Sequence, residues 1–135
     1  MTAGERNLSP AIVVGGTLFF TTFIPSPDLC VSSGSGLLYA VFYQTGGPFT
    51  GSAIGTSTSG SNTLVNKSLS LGQGMPAQAA VQLGGQGTGG SGTASNVGCA
   101  GRVTVYIQGS NQVLAQTCAS PALQVWSRMV AWRDL

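Results

Sequence analysis

Few side chains in this sequence could carry acid–base or nucleophilic chemistry. The acidic residues are Glu5, Asp28 and Asp134, which lie far apart along the chain. A glycosidase-like pair of carboxylates would form only if folding happened to bring two of them together. The chain has no histidine, which excludes Ser-His-Asp and Cys-His catalysis and histidine-ligated metals. We therefore expect a protein that is not an enzyme and that has no catalytic residue, metal site or cofactor.

The cysteines are Cys30, Cys99 and Cys118. They lack C-x-x-C spacing and a histidine partner, so a metal cluster is not expected, and no base is present to activate a thiol. Cys99 and Cys118 flank a predicted hairpin whose turn would place Cys118 roughly opposite Arg102. A disulfide between Cys99 and Cys118 is then within reach, and Cys30 would pair elsewhere or stay free.

The chain carries very little charge. Only 6% of its 135 residues are charged, and the net charge is +2. Five basic side chains are too few for the patch that grips nucleic acid, so no nucleic-acid partner is expected. The longest apolar stretch, residues 11–24, is too short and too polar to span a bilayer, and no secretory signal pattern precedes it. A surface of uncharged polar residues is typical of secreted and cell-surface proteins, so we expect an extracellular protein whose signal lies on a larger parent chain.

Runs of β-branched and aromatic residues between turn formers predict an all-β protein of antiparallel sheets. A Gly-Gly turn joins the first two predicted strands, and the unbroken apolar run at 36–43 is typical of a strand covered on both faces. Residues 50–66 and 84–98 are predicted to be flexible loops, and the second lacks the Lys-Ser/Thr of a phosphate-binding loop. We expect residues 1–135 to form one all-β unit. The predicted strands are 11–14, 17–24, 36–43, 68–71, 78–83, 102–108, 112–118 and part of the apolar stretch 123–132.

A weak internal repeat bears on the architecture. Pro10 and Ala11 precede a strand, a Gly-Gly pair and two further strands, and Pro76 and Ala77 precede a similar order. Radial β-propellers are built from such units, each blade being a small antiparallel sheet, but a closed propeller needs about four to eight blades. The sequence therefore predicts the terminal blades of a larger propeller, with a small β-sandwich as the alternative. Open sheet edges would allow the isolated chain to self-associate.

Several segments of the sequence carry a common resemblance. They read GERNLSPAIVVGGTLFFTTFIP at 4–25, PDLC at 27–30, GLLYAVFYQTG at 36–46 and RMVAWRDL at 128–135. Together they resemble the end of PilY/PilC-type proteins of the type IV pilus. Ala131 and Asp134 depart mildly from the Ser-Trp-Arg-Glu ending of that family, and the resemblance is loose over 47–101.

The resemblance implies a large secreted bacterial protein with a C-terminal β-propeller that promotes pilus assembly. This chain would then be a non-enzymatic structural and adhesive piece of a fimbrial tip protein, supporting a platform for pilin or surface contacts. Its partners would be type IV pilins or minor pilins, and the rest of the parent protein. Some family members carry an acidic calcium loop, but no matching loop occurs here, so no calcium ligand is carried over.

The alternative function is an independent extracellular β-sandwich that binds a glycan or a protein ligand through its tryptophans and polar loops. We expect the cluster of Phe19, Phe20 and Phe23 to be core. The Glu5-Arg6 pair is expected to be a solvated turn or a salt bridge, unless it contacts a pilin. The candidate partner contacts are Arg6, Trp126, Arg128 and Trp132.

Overall fold

The described part of the chain is all-β and antiparallel, as predicted. A computed structural model describes residues 2–28, 33–49, 51, 53–83 and 103–122. Among these residues there is no helix that is long and apolar enough to cross a membrane. The strands are β1 (Arg6–Asn7), β2 (Ile12–Val14), β3 (Thr17–Pro25), β4 (Gly34–Phe42), β5 (Thr56–Ser59), β6 (Asn62–Val65), β7 (Ser68–Gln73), β8 (Ala80–Gln82), β9 (Val103–Gln108) and β10 (Leu114–Ala119).

The first sheet has the order β2-β3-β4-β7, and β1 pairs with β3 on the same edge as β2. Gly15 and Gly16 form the two-residue turn between β2 and β3, and both adopt the positive φ that such a turn requires. β3 then pairs with β4 over nine residues. The strands predicted at 11–14, 17–24 and 36–43 are confirmed, with small shifts at their ends.

A polar hairpin is inserted between β4 and β7. Its strands, β5 and β6, pair about the two-residue loop of Gly60 and Ser61, and Gly60 has a positive φ. Nearly all of its side chains are exposed. The sequence predicts a loop over 50–66 because strand prediction relies on a buried face, whereas this hairpin buries none. Its strands are held by backbone pairing and by the β preference of threonine.

The second sheet consists of β8, β9 and β10 in chain order. The predicted hairpin is present, but its predicted register is wrong by two positions: Cys118 lies opposite Thr104 rather than Arg102. The reason is the connecting loop, which begins at Gly109 and ends at Val113. The Gly109 N–H donates to the Val113 carbonyl at 3.0 Å, so the hairpin closes around a longer loop than the three-residue turn that the sequence suggests.

The two sheets share one hydrophobic core. The first sheet contributes Phe19 and Leu38, and the second contributes Val105 and Ile107, all of which are buried. The valine and isoleucine alternation in β9 predicts this inward face. Each fully buried side chain of this size contributes roughly 1.5–3 kcal/mol relative to exposure.

Strand β4 is buried on both of its faces, as its unbroken apolar run predicts. Leu38 and Ala40 lie in the shared core. Tyr39 and Val41 point to the opposite face and are each only 7% exposed. There the Tyr39 ring stacks on Phe20, with the ring centroids 5.0 Å apart. Phe20 is therefore not part of the shared core, because strand alternation places it on the opposite face from Phe19.

Candidate functional site

Glu5 ties the N-terminal segment to the first sheet. Its Oε1 accepts a hydrogen bond of 2.6 Å from the Thr22 hydroxyl. Its Oε2 accepts one of 2.6 Å from the Thr2 backbone N–H and one of 3.2 Å from the Thr2 hydroxyl. The Tyr39 hydroxyl donates to the same carboxylate. Since Thr22 and Tyr39 are buried, Glu5 provides acceptors for two buried hydroxyls, as buried polar groups require.

These contacts shift the proton affinities of both partners. Burial alone would raise the pKa of Glu5, but the hydrogen bonds from Thr22, Thr2 and Tyr39 outweigh it and lower the pKa to about 2. Burial, the hydrogen bond to Glu5 and the negative charge of Glu5 raise the pKa of Tyr39 to about 12. Groups so far from neutral pH are poor general acids and bases. Glu5 is thus a hydrogen-bonded anchor of the N-terminal segment, and the salt bridge expected for the Glu5-Arg6 pair stays a prediction.

The outer face of the second sheet presents a tyrosine among amide side chains. Because Val105 points into the core, its neighbour Tyr106 points outwards. Tyr106 lies opposite Ala80 on β8 and opposite Gln116 on β10. Its hydroxyl donates to Gln82 Oε1 at 3.1 Å. We define the Gln/Tyr face as Ala80, Gln82, Tyr106, Gln108, Leu114 and Gln116. Thr104 and Cys118 lie beside them on the same side of the sheet, and Thr104 is buried.

This face carries no charged side chain. Among residues 2–28, 33–49, 51, 53–83 and 103–122, the charged ones are Glu5, Arg6, Asp28 and Lys67. All four lie in, or close in sequence to, strands of the first sheet. The Gln/Tyr face therefore offers amide donors, carbonyl acceptors and an aromatic ring, but no ion pair.

A small cleft lies where β7 meets the loop between β9 and β10. Its volume is about 20 Å³, which is room for about one water molecule. The Asn111 side-chain amide donates to the Gln73 carbonyl at 2.8 Å beside it, and the Ser110 N–H donates to the Met75 carbonyl at 2.9 Å. These bonds join the two sheets, so the cleft is a structural junction and is too small for an organic ligand.

The structure separates the predicted site residues that it describes. Arg6 is exposed on β1 of the first sheet, opposite Phe23. Cys118 is exposed on β10 of the second sheet and is disulfide-bonded. Its pairing with Cys99 stays a prediction, because Cys99 lies outside the described residues. Cys30, Trp126, Arg128 and Trp132 also lie outside them.

Sequence reasoning missed the Gln/Tyr face. The alternation in residues 102–108 is enough to predict that Tyr106 points away from the core. Its neighbours Gln82 and Gln116 could not be assigned, since they depend on the pairing of β9 with two other strands. Within the described part of the chain, no three His, Cys, Asp or Glu residues lie together as metal ligands would.

Comparisons with known proteins add no family to this description. No protein-family model, no curated protein and no solved structure significantly matches the chain.

Proposed function

We propose that this chain is a non-enzymatic structural and adhesive part of a type IV pilus tip and assembly protein on the bacterial surface. In this proposal its two sheets are terminal blades of a β-propeller, and they support a platform for contacts with pilins, minor pilins or an outside surface. The rest of the parent protein would complete the propeller. The resemblance of residues 4–46 and 128–135 to PilY/PilC-type proteins supports this identity.

The strand order is the observation that carries the proposal. The first sheet follows the chain as β2-β3-β4-β7, and the second sheet begins again as β8-β9-β10. Propeller blades are sheets of this kind that follow one another along the chain, whereas immunoglobulin-like sandwiches connect their two sheets by Greek-key crossings. Pro10 and Pro76, which begin the sequence repeat, precede β2 and β8, the first strands of the two meanders.

The distribution of apolar side chains also fits successive blades. Leu38 of the first sheet and Val105 of the second sheet belong to one core, as expected of neighbouring blades that pack face to face. The other face of the first sheet carries Phe20, Tyr39 and Val41, so this sheet has apolar residues on both sides.

The proposal is tested on the source cells with an antibody raised against this chain. Surface and sheared-pilus fractions are compared with the same fractions from cells that lack the major pilin. We expect a band several times larger than 13.6 kDa that is enriched with pili and depleted from the sheared fraction of the pilin-deficient cells. A band at the size of the chain itself, with no enrichment in pili, would overturn the proposal.

A small extracellular β-sandwich that binds a ligand is the second candidate. It is favoured by the core that the two described sheets share, because a chain with its own core can fold alone. Light scattering and denaturant unfolding of the isolated chain separate the two candidates. A monomer with one cooperative transition supports the sandwich, whereas association that increases with concentration supports blades with open edges.

A further inference from the structure

We infer that the Gln/Tyr face of the second sheet binds a neutral glycan. This inference does not rest on the pilus proposal. It concerns a face that a further blade of a closed propeller would cover, so it rests on the second candidate, the ligand-binding sandwich. It assigns a ligand to the outer face of β8, β9 and β10 rather than to the tryptophans, because this face combines an aromatic ring, surrounding amides and a lack of charge.

The Tyr106 ring supplies an apolar plane for a sugar. It lies on the central strand of the sheet, half-buried, with its hydroxyl held by Gln82. On one side its cross-strand neighbour is Ala80, which is too small to cover the ring. Tyrosine offers a rigid, amphipathic surface that loses little side-chain entropy on binding. The carbon–hydrogen face of a pyranose can therefore stack on this ring from the Ala80 side.

The amides around the ring supply hydrogen bonds to sugar hydroxyls. Gln116 lies directly opposite Tyr106, on the side away from Ala80. Directly opposed side chains in a sheet have their Cβ atoms about 4.5–5.5 Å apart, which places the Gln116 amide beside a sugar stacked on the ring. Gln108 and Gln82 are exposed on the same face. Each amide has both donors and an acceptor, which matches hydroxyl groups that both donate and accept.

The lack of charge decides the class of ligand. Nucleic acids and sulfated or sialylated glycans are recognised largely through Lys and Arg. None of the described residues of β8, β9 or β10 is charged. A neutral oligosaccharide bound here would remove water from no charged side chain of these strands, and it would find partners for its hydroxyls. Gln82, Gln108 and Leu114 are exposed on this face and no pocket among the described residues encloses them, so we expect a dissociation constant on the order of 1 mM rather than the tighter binding of an enclosed pocket.

The test is a titration of the isotope-labelled full chain by nuclear magnetic resonance. The probes are three neutral trisaccharides, composed of N-acetylglucosamine, mannose and galactose, with sialyllactose as the charged comparison. We expect at least one neutral probe to shift the amide signals of the second sheet, with the largest changes at Ala80, Tyr106 and Gln116. Sialyllactose should bind no more tightly than the best neutral probe.

Variants then locate the site. Tyr106→Ala should weaken binding about tenfold, which corresponds to about 1.4 kcal/mol, and Tyr106→Phe, which keeps the ring, should weaken it only about two- to threefold. Gln116→Ala serves as an independent variant if Tyr106→Ala fails to fold, and it should weaken binding at least about threefold. The matched control is Tyr43→Ala, because Tyr43 is exposed and hydrogen-bonded to a glutamine, Gln44, as Tyr106 is to Gln82, but lies outside this face.

Three results would overturn the inference. The first is no shift with any neutral probe up to about 10 mM, ten times the expected dissociation constant. The second is binding that maps to the first sheet, and the third is an equal loss of binding in Tyr43→Ala and Tyr106→Ala. None of these results affects the fractionation test of the pilus proposal, so the two failures are distinguishable.

Discussion

Replacing Glu5 with Gln removes a carboxylate that the structure holds with several donors. The folded protein keeps Glu5 ionised because Thr22, Thr2 and Tyr39 donate to it, with a pKa of about 2 against an ordinary value of 4.5. Unfolding releases these donors and returns the pKa to its ordinary value. Because the folded pKa is the lower one, the stabilisation is complete above pH 4.5 and is lost as the pH falls towards 2.

The size of this contribution follows from the two pKa values. A tenfold difference in proton affinity is worth about 1.4 kcal/mol, so the difference between 4.5 and about 2 corresponds to at most about 3.5 kcal/mol. Glu5 is still partly open to solvent, which screens its interactions, so we expect about 1–2 kcal/mol. Other carboxylates add little to this pH dependence, because Asp28 and Asp134 are the only other acidic side chains in the sequence.

The assay is urea unfolding of the wild type and Glu5→Gln at a series of pH values from about 7 down to 2. We expect the free energy of unfolding of the wild type to fall by about 1–2 kcal/mol more than that of the variant, with the extra loss below pH 4.5. Thr22→Val removes the hydroxyl that donates to Glu5 at 2.6 Å, so it should reduce this extra loss of stability at low pH. Thr22→Ser keeps the hydroxyl and should retain the extra loss. Parallel curves for the wild type and Glu5→Gln over the whole range would refute the reasoning.

Three further predictions concern other contacts. Tyr39 should release its proton only as the pH approaches 12, so Tyr39→Phe should remove the last phase of phenolate absorbance in an alkaline titration; an unchanged last phase would contradict this. A Cβ at Gly34 would meet the Phe23 ring and would lie 2.5 Å from a backbone oxygen, so Gly34→Ala should lower the free energy of unfolding by about 1–3 kcal/mol. Gly47→Ala is its control, since its Cβ would meet nothing closer than 3.7 Å, and equal losses would disprove the steric account. Cys118→Ser should cost about 2–4 kcal/mol, and peptide mapping of the oxidised chain should find Cys118 linked to its predicted partner.

The strands that bury a face could be predicted from the sequence. Alternation in β9 and the unbroken run in β4 predict their buried faces because burial selects apolar side chains at fixed intervals. The polar hairpin of β5 and β6 buries almost nothing, so its sequence carries no such signal. The predicted cross-strand partner of Cys118 was wrong for a different reason. The register of a hairpin depends on the length of its loop, and the loop conformation here is set by local hydrogen bonds such as that from Gly109 to Val113.

The sequence by itself determined that this protein is all-β, that its surface has little charge, and which residues of β9 face the core. These are properties of composition and of local alternation, which repeats every two residues. Only the tertiary structure decided that Glu5 meets Thr22 and Tyr39, and that Gln82 meets Tyr106. Such partners are distant in sequence, and they are brought together by strand pairing and by the packing of buried side chains, which no local pattern specifies.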